Sequence, residues 1–545
     1  MRRARLLIAL MITLVLSGCS TLPTSGPVTP FERDIPGSES LILKGYGPVE
    51  GSSPDTIVRD FLRASAAGWS DEFQVARSYL TDTAKAAWRP EAQVQIYSDD
   101  QTLIVEGAAT EVTVEVGVDG IVTPDGKYEV QQTPTKVNSE YRLLRSPGGE
   151  WRIDELPDGV LISHSSFRAV YTLASVYFLS PDMRALVPDP RWYPTRRLES
   201  YLMQALLEGP SEEIAPAVVS AVPVSARLPL QKVQVTSGRA EVDLEGEYLV
   251  NPDLQAALKW QVTSTLMQVP GVTEVQVLNN RQDLDDVAIP SGPTWAMDKK
   301  VGVKDGALVL NDGIEPIEVV PASQLAEISN PTVGPVDSSP LAYVSGKQLW
   351  GVYAGEAPAV IYEGEGISKP SVDRLGWTWT VVNNEVVVAR LAHGEPLRIQ
   401  TPWESGAPLV RVAISPDGAR ALLSRGDTDG SVWIAAVKRS ADGAPTGLDI
   451  PKRVQLGPGR VIDMSWAGNT SALILQDGAS GRVVTISTVG STSETLTAPA
   501  DAVRISGGAT PQAILLDTGQ GRIYTRAGVS WRSAKSNMEA EAFPH

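Results

Sequence analysis

The chain has 545 residues, a net charge of −17 and 13 tryptophans, with 42% apolar and 20% charged residues. This length exceeds what one hydrophobic core supports, so two to four domains are expected. The composition is that of a folded protein and excludes a largely disordered chain. The acidic balance makes nucleic acid and bare anionic lipid poor partners; such a surface either attracts a basic protein or simply keeps an exported protein soluble.

The first 18 residues have the layout of a secretory signal peptide. Arg2, Arg3 and Arg5 give a positive start, and the 11 residues of Leu6–Leu16 form an apolar run. That run is too short to span a bilayer. Cys19 follows it and is the only cysteine. We therefore expect neither disulfides nor thiolate metal sites in the folded body.

The small residues Ser17 and Gly18 directly before Cys19 give a motif that resembles the lipobox of bacterial lipoproteins. The resemblance implies cleavage between Gly18 and Cys19, an S-diacylglycerol thioether on Cys19 and N-palmitoylation of the new amino terminus. The expected location is then extracytoplasmic and lipid-anchored, at the outer face of the cytoplasmic membrane. The alternatives are an ordinary signal peptide with a stray cysteine, or an uncleaved anchor. Residues 19–55 are rich in Pro, Gly, Ser and Thr and predict a flexible tether with a reach of roughly 30 Å.

Residues 56–165 predict an α+β domain. Apolar residues recur at helical spacing over Ile57–Leu62 and again over Phe73–Leu80, which predicts two helices. Alternating apolar residues over Val112–Ile153 predict a curved antiparallel sheet. This order is similar to small NTF2-like cone domains, which often hold an acidic pair in a pocket. Asp99 and Asp100 are candidates for that pair, but adjacent carboxylates on a strand face opposite ways, which favours a turn instead.

Residues 166–290 predict a second α+β domain. The segment TRRLESYLMQALLEGPS has the marks of an amphipathic helix and ends at Gly209 and Pro210. The segment KVQVTSGRAEVDL alternates on both sides of a turn at Ser237–Gly238 and predicts a hairpin. A further helix is expected up to Pro270 and Gly271, followed by a strand. This order of hairpin, helix and strand resembles the GerMN module of spore-germination and lipoprotein sequences.

Residues 295–545 lose the helical period and predict an all-β propeller. Short strands recur. Aligning Trp377 with Ile414, Ala421 with Ala472, and Ala472 with Ala513 gives steps of about 37, 51 and 41 residues, where a four-stranded blade needs about 40 to 50. We expect five to seven blades, with six as the favoured number. The strand near Val301–Leu310 is expected to complete the final blade beside the C-terminal strands, which would close the ring.

Tryptophans fall about once per repeat in this region. Trp377 and Trp379 are two residues apart, so they share one face of a strand. Blade packing explains such residues, and the alternative is an aromatic at the rim that binds protein or sugar.

The sequence offers few motifs for catalysis or for metal and cofactor binding. Its three histidines, His164, His393 and His545, lie in separate segments without zinc-ligand spacing. It has no P-loop, dinucleotide fingerprint or nucleophile elbow. Residues 427–431 imitate the start of a calcium loop, but the twelfth position is Lys438 rather than an acid, which favours a propeller turn. Carboxylates from distant blades that meet at a propeller channel stay open as a glycan-hydrolysing pair.

The order of lipobox, proline-rich tether, NTF2-like segment, GerMN-like module and propeller resembles the LpqB lipoproteins of actinobacteria over essentially the whole mature chain. The resemblance implies a non-enzymatic accessory protein of the MtrAB two-component system. It would contact the ectodomain of the sensor histidine kinase MtrB and modulate signalling in cell-wall maintenance and division. No catalytic residue, metal or cofactor comes with the family pattern, so only Cys19 is carried over. A peptidoglycan-binding protein and, less favoured, a propeller enzyme acting on glycans are the alternatives.

Overall fold

The computed structural model describes residues 44–545, apart from 109, 230–231, 247–248, 314–315, 325–326, 402, 404–406 and 427–429. Residues 43–545 form one unit by their contacts. It is built from an N-terminal module (residues 54–163), a middle module (171–283) and a propeller module (300–542), and a short helix links the first two.

The N-terminal module begins with a helix that buries one face. In α1 (Pro54–Ala66), Pro54 lies in the first turn, where its missing N–H leaves no helical hydrogen bond unmade. Ile57, Phe61 and Leu62 recur on the buried face. The helix ends at Ala66 and is followed by a 3-10 turn, Gly68–Ser70.

The predicted second helix is only partly formed, because turns occupy both ends of the stretch Phe73–Leu80. It holds α2 (Gln74–Arg77) and is followed by α3 (Asp82–Ala87). Phe73 has a φ of +61°, which the interior of a right-handed helix excludes. The Thr81 hydroxyl then accepts a hydrogen bond from the Ala84 N–H and starts α3 anew. The apolar residues of the stretch are buried nevertheless.

A six-stranded sheet packs against α1, as the alternating pattern predicted. Its order is β5-β4-β3-β1-β6, with β2 paired to β3, and every pair is antiparallel except β1 with β6. Buried and exposed positions alternate along β3. The strands are β1 (Val94–Tyr97), β2 (Ile104–Ala108), β3 (Glu111–Val122), β4 (Tyr128–Arg145), β5 (Trp151–Glu155) and β6 (Val160–Ser163). The linking helix α4 (His164–Val170) follows.

The middle module confirms the predicted order of hairpin, helix and strand. A hairpin of β7 (Tyr171–Leu179) and β8 (Leu186–Pro194) leads into α5 (Leu198–Glu208), which ends at Gly209 with a φ of +98°. A sheet of order β12-β11-β10-β9 follows, and α6 joins its parallel strands β10 and β11. These elements are β9 (Gln234–Thr236), β10 (Arg239–Leu244), α6 (Pro252–Leu266), β11 (Glu274–Asn279) and β12 (Gln282–Asp283).

The propeller has six four-stranded sheets, which is the favoured number of blades. The first combines β13 (Lys300–Lys304), β14 (Ala307–Asn311), β15 (Ile317–Val320) and β36 (Glu539–Ala542). The next two are β16 (Ser329–Val333), β17 (Leu341–Ser345), β18 (Gln348–Val352), β19 (Ala359–Glu363) and β20 (Ser371–Val372), β21 (Thr378–Val382), β22 (Glu385–Ala389), β23 (Leu397–Ile399). The fourth is β24 (Leu409–Ile414), β25 (Arg420–Arg425), β26 (Val432–Arg439), β27 (Pro445–Arg453). The last two are β28 (Val461–Ala467), β29 (Ser471–Gly478), β30 (Gly481–Thr488), β31 (Ser493–Thr497) and β32 (Ala502–Gly507), β33 (Ile514–Thr518), β34 (Ile523–Ala527), β35 (Ser530–Ala534).

The ring closes through the first blade, as predicted. The last strand, β36, pairs with β13, so that Val301 lies opposite Ala542. The strand at one edge of each sheet (β36, β16, β20, β24, β28 and β32) contacts the corresponding strand of the next sheet around the ring. These six are the inner strands. Closure removes the free sheet edge that an open array would present at its end.

The hydrophobic cores continue across the boundaries between modules. Tyr171 of the middle module belongs to the core of the N-terminal module. Ala419 and Ala436 of the fourth blade belong to the core of the middle module. The three modules are therefore packed together by apolar as well as polar contacts.

Candidate functional site

The predicted lipidation site is not part of the folded body. Cys19 and the cleavage position at Gly18 lie outside the described residues, so both stay predictions. In residues 44–545, no described helix is both long enough and apolar enough to cross a membrane.

The three histidines do not meet. His164 Nε2 lies 3.7 Å from Asp119 in the N-terminal module. His393 is exposed in a loop and lies edge-on to Trp377, with a ring-centroid distance of 4.5 Å. His545 is buried in the propeller. No group of three or more His, Cys, Asp or Glu that could hold a metal ion is found in the described part of the chain.

The other polar candidates lie at turns or in ordinary ion pairs. Asp99 and Asp100 form a turn, as favoured, and Asp99 Oδ1 accepts hydrogen bonds from the Ser165 N–H and hydroxyl at 3.1 and 2.8 Å. Residues 427–429 of the calcium-like segment lie outside the described residues. Lys438, at its twelfth position, lies in β26 with its Nζ 3.1 Å from an oxygen of Asp449.

The paired tryptophans of the third blade are packing residues, as predicted. Trp377 and Trp379 have only 2% and 0% of their surface exposed and belong to one hydrophobic core. The indole N–H of Trp379 donates to buried Asp373 at 3.0 Å. A buried indole usually finds such an acceptor, so this hydrogen bond fits a structural role.

A buried aspartate in the propeller channel joins several blades. Asp463 lies on β28, and its two carboxylate oxygens are 3.2 Å from Lys369 Nζ and 3.1 Å from Arg411 Nη1. It also accepts a hydrogen bond from the Ile505 N–H at 2.9 Å. Burial alone would raise the pKa of Asp463, but the two cations outweigh it and lower the pKa. The carboxylate is therefore ionised and bridges the inner strands of three blades.

The cavities beside Lys369 and Asp463 are small. The two cavities that border Lys369 have volumes of only about 10 Å³ each. His545 lines one of them, and its backbone carbonyl accepts hydrogen bonds from the Thr332 hydroxyl and the Val372 N–H. Each cavity has room for about one water molecule, far less than a sugar ring needs. Neither of these two cavities could therefore hold a sugar beside Asp463, as a glycan-cleaving pair of carboxylates would require.

A second buried aspartate joins the N-terminal module to the middle module. Asp189 lies on β8, and its oxygens are 2.8 Å from Lys127 Nζ and 2.8 Å from Arg191 Nη2. The Ser211 N–H and hydroxyl each donate to it at 3.0 Å. Burial would raise the pKa of Asp189, but Lys127 and Arg191 outweigh it and hold the pKa well below its ordinary value. We call Asp189 with these three partners the Asp189 junction.

The middle module is joined to the propeller by a similar arrangement. Asp182 and Arg374 form a bidentate ion pair, in which two guanidinium nitrogens lie 3.0 and 2.6 Å from the two carboxylate oxygens. Both side chains are largely buried. Burial would raise the pKa of Asp182, but Arg374 lowers it overall. Arg420 Nη2 donates to the Pro188 carbonyl at 2.6 Å. Arg374 lies in the turn between β20 and β21 of the third blade, and Arg420 is the first residue of β25 in the fourth blade.

These junction residues were missed in the sequence. Asp189 and Arg191 stand in PDPRWYP, a stretch that reads as part of an apolar strand, and β8 is buried almost throughout. Charged residues inside a buried strand are a usable signal, because they must have partners. The partner Lys127 is 62 residues away, so the sequence alone does not identify it.

Comparison with known proteins agrees with the three modules. The family model of the LpqB lipoprotein N-terminal domain matches residues 47–168, the model described as sporulation and spore germination matches 175–285, and the model of the LpqB β-propeller domain matches 306–545. Lipoprotein LpqB of Nocardia farcinica is 28% identical over 91% of this chain and 90% of its own length. Those of Rhodococcus opacus and Mycobacterium tuberculosis are 27% and 28% identical over 92% and 85% of this chain and 90% and 85% of their own lengths. The chain belongs to the LpqB lipoprotein family.

Proposed function

We propose that this chain is a non-catalytic accessory protein, lipid-anchored at the outer face of the cytoplasmic membrane, whose folded body binds the ectodomain of the sensor histidine kinase MtrB. Binding would modulate kinase signalling in cell-wall maintenance and division. The partner is inferred from the family resemblance. One observation supports the proposal: the buried aspartates form ion pairs that join modules and blades. These aspartates are Asp189, Asp182 and Asp463.

A body held together in this way suits a binding role. Burial and ion pairing across both module boundaries hold the surfaces of three modules in a fixed relation, so a partner meets a preformed face. Anchoring would then confine this body and the kinase to one membrane. A tethered encounter has a much higher effective concentration than a free one, so a weak interface is enough.

Reconstitution on a bilayer tests this proposal. The lipidated full chain and the kinase ectodomain, each anchored to the same supported bilayer, are expected to form a complex that single-molecule co-diffusion detects. Cys19→Ala, which removes the acceptor of the lipid, is the matched control. It should lower the apparent affinity by about 10²-fold or more. If the anchored pair forms no complex, the partner is wrong; if Cys19→Ala binds as tightly as the lipidated chain, the anchoring argument is wrong.

The two alternatives have separate tests. Sedimentation of the full chain with purified peptidoglycan tests wall binding, and wall binding in the absence of a kinase complex would favour that alternative. The enzyme alternative is weakened by the 10 Å³ cavities of the described propeller channel. Release of reducing sugar ends from purified wall material by the full chain would restore it.

A further inference from the structure

A cleft opens where the N-terminal module meets the middle module. We call it the seam cleft; its volume is about 630 Å³, and it lies between the turns that follow α1 and the start of α5. This volume is within the range of roughly 300–1,000 Å³ that small-molecule sites occupy. The charged residues of its wall are four arginines and two glutamates: Arg77, Arg89, Arg196, Arg197, Glu72 and Glu91. The excess of arginine contrasts with the acidic chain as a whole.

Two of these arginines lack a carboxylate partner. Arg89 pairs with Asp158, and Arg197 lies 3.3 Å from Glu72. Arg77 donates only to the backbone carbonyls of two residues, one of them Trp88 at 3.3 Å, and Arg196 donates only to a backbone carbonyl. Among the described residues, neither guanidinium has an acid within 4.0 Å. The seam cleft therefore carries positive charge that its own acids do not neutralise.

Two tryptophans, Trp69 and Trp88, lie beside the arginines in the cleft wall. The indole nitrogens of Trp69 and Trp88 are buried and have no hydrogen-bond partner among the described residues. The Arg77 guanidinium lies over the Trp88 ring, 5.4 Å from its centroid. Guanidinium groups donate hydrogen bonds and do not accept them. The complementary ligand is rich in acceptors and negatively charged.

The backbone at the cleft is held in an unfavourable conformation. Glu72, Phe73 and Arg197 have φ values of +57°, +61° and +60°. Residues other than glycine adopt this region only at an energetic cost, and such strain concentrates at ligand sites. The three residues hold the cleft wall in a shape that ordinary turns would not give.

From this geometry we propose that the seam cleft binds a small envelope molecule through a carboxylate or phosphate group, and that Arg77 and Arg196 are the residues that recognise this oxyanion. The planar guanidinium presents paired donors that match both groups. The carboxylates of wall peptides and phosphate esters are the two sources of this chemistry. The proposal does not depend on the kinase contact, since either can fail while the other stands.

Calorimetric titration of the full chain in detergent tests the site. The probes are the muropeptide N-acetylmuramyl-L-alanyl-D-isoglutamine, the same compound with its carboxylate amidated, and inorganic phosphate. The free muropeptide is expected to bind saturably and more weakly as salt increases. Arg196→Gln is expected to weaken it about tenfold or more. The amidated compound should lose affinity to a similar extent.

Two further variants complete the design. Arg77→Gln should weaken binding as Arg196→Gln does, and because Arg196 is exposed, its variant remains informative if the Arg77 variant folds poorly. Arg532→Gln, an exposed arginine on the outer strand of the last blade, is the matched control and should bind like the original chain. Binding of phosphate alone with the same dependence on Arg196 would support the site and assign it to phosphate. If neither the free muropeptide nor inorganic phosphate binds, or if Arg196→Gln binds like the original chain, the proposal is wrong.

Discussion

At the scale of single residues, the buried aspartates with two cationic partners are the groups whose loss we expect to be most damaging. Replacement of Asp189 by alanine would leave Arg191 buried without its counter-charge, and Lys127 with only the more distant Glu213, 4.0 Å away. Such an uncompensated buried charge typically costs about 3–5 kcal/mol. Asp189→Ala should therefore lower the urea midpoint of the full chain strongly. Glu155→Ala, which breaks an exposed pair with Arg142, is the control and should change it little. Equal effects would contradict the role of the Asp189 junction.

The buried histidine of the propeller makes a separate prediction about pH. Burial lowers the pKa of His545 to about 3, with a smaller contribution from the charge of Lys369. In the unfolded chain a histidine takes up a proton near pH 6.5, whereas the folded chain keeps His545 neutral until much lower pH. The free energy of unfolding should thus fall as the pH is lowered from about 6.5 to 5, above the range where unfolded carboxylates titrate.

A variant isolates this effect. His545→Gln should flatten the pH dependence of the urea midpoint between about pH 6.5 and 5, whatever its effect at neutral pH. His393→Gln is the matched control, because His393 is exposed in its loop, and it should leave the slope unchanged. If the His545 variant keeps the full slope, the histidine is not held neutral in the folded chain.

At the scale of elements, the broken helix of the N-terminal module depends on one close approach. A Cβ at Gly68 would lie 2.1 Å from Cδ1 of Phe73, whose ring packs edge-on against Trp69 and Trp88. Gly68→Ala should destabilise the chain by about 1–3 kcal/mol through overpacking. Gly394→Ala is the control, since a Cβ there meets nothing within 4 Å. If Gly68→Ala leaves the stability of the chain unchanged, the Phe73 ring in this wall of the seam cleft can move aside at little cost.

The closing strand carries a second prediction at this scale. Removal of residues 539–545 would take away β36, leaving β13 without its inner partner and β16 and β32 without a neighbouring inner strand. The propeller should then lose its cooperative unfolding and become sensitive to protease within the first and last blades. Val529→Ser, at an exposed side chain of the last blade, should leave both properties unchanged. Retained cooperativity in the truncated chain would mean that closure contributes little.

Helices and strands could be predicted where the spacing of apolar residues along the element itself shows which positions are buried. The repeat around Ala421 and Ala472 indicates blades, because each strand alternates or buries its own residues, and both alanines are fully buried in equivalent strands. The helix expected over Phe73–Leu80 is only partly formed, because short turns can bury apolar residues at the same spacing as a helix does. The left-handed backbone of Phe73 interrupts the helix. The sequence does not reveal it, because only a glycine or asparagine at this position would have indicated such a conformation.

At the scale of the whole molecule, the order of modules was predictable and their junctions were not. Composition and periodicity separate the three modules, since each has its own pattern. The Asp189 junction and the seam cleft arise from residues on different modules, such as Arg77 and Arg196, which the sequence places more than 100 positions apart. Nothing local marks them as neighbours, because a charged residue in a turn is ordinary in isolation.

We expect the ion pair between Asp182 and Arg374 to make the middle module and the propeller unfold together. Its two hydrogen bonds join residues 192 positions apart, and only 13% and 5% of the two side chains is exposed. In a double-mutant cycle of Asp182→Ala and Arg374→Ala, we expect a coupling energy of about 1–3 kcal/mol. Each single variant should also split the thermal transition in calorimetry, because the propeller and the other two modules would lose their shared stabilisation.

The exposed pair of Glu385 and Arg398 lies within one blade and supplies the matched cycle. Its coupling should be close to zero, because solvent screens the charges and no module boundary is crossed. Additive effects at Asp182 and Arg374, together with a single undivided transition in each variant, would show that other contacts join the middle module to the propeller. These are the apolar packing around Ala419 and Ala436 and the hydrogen bond from Arg420 to Pro188. In that case the body would still present a fixed face to a partner, but this ion pair would not be what holds it.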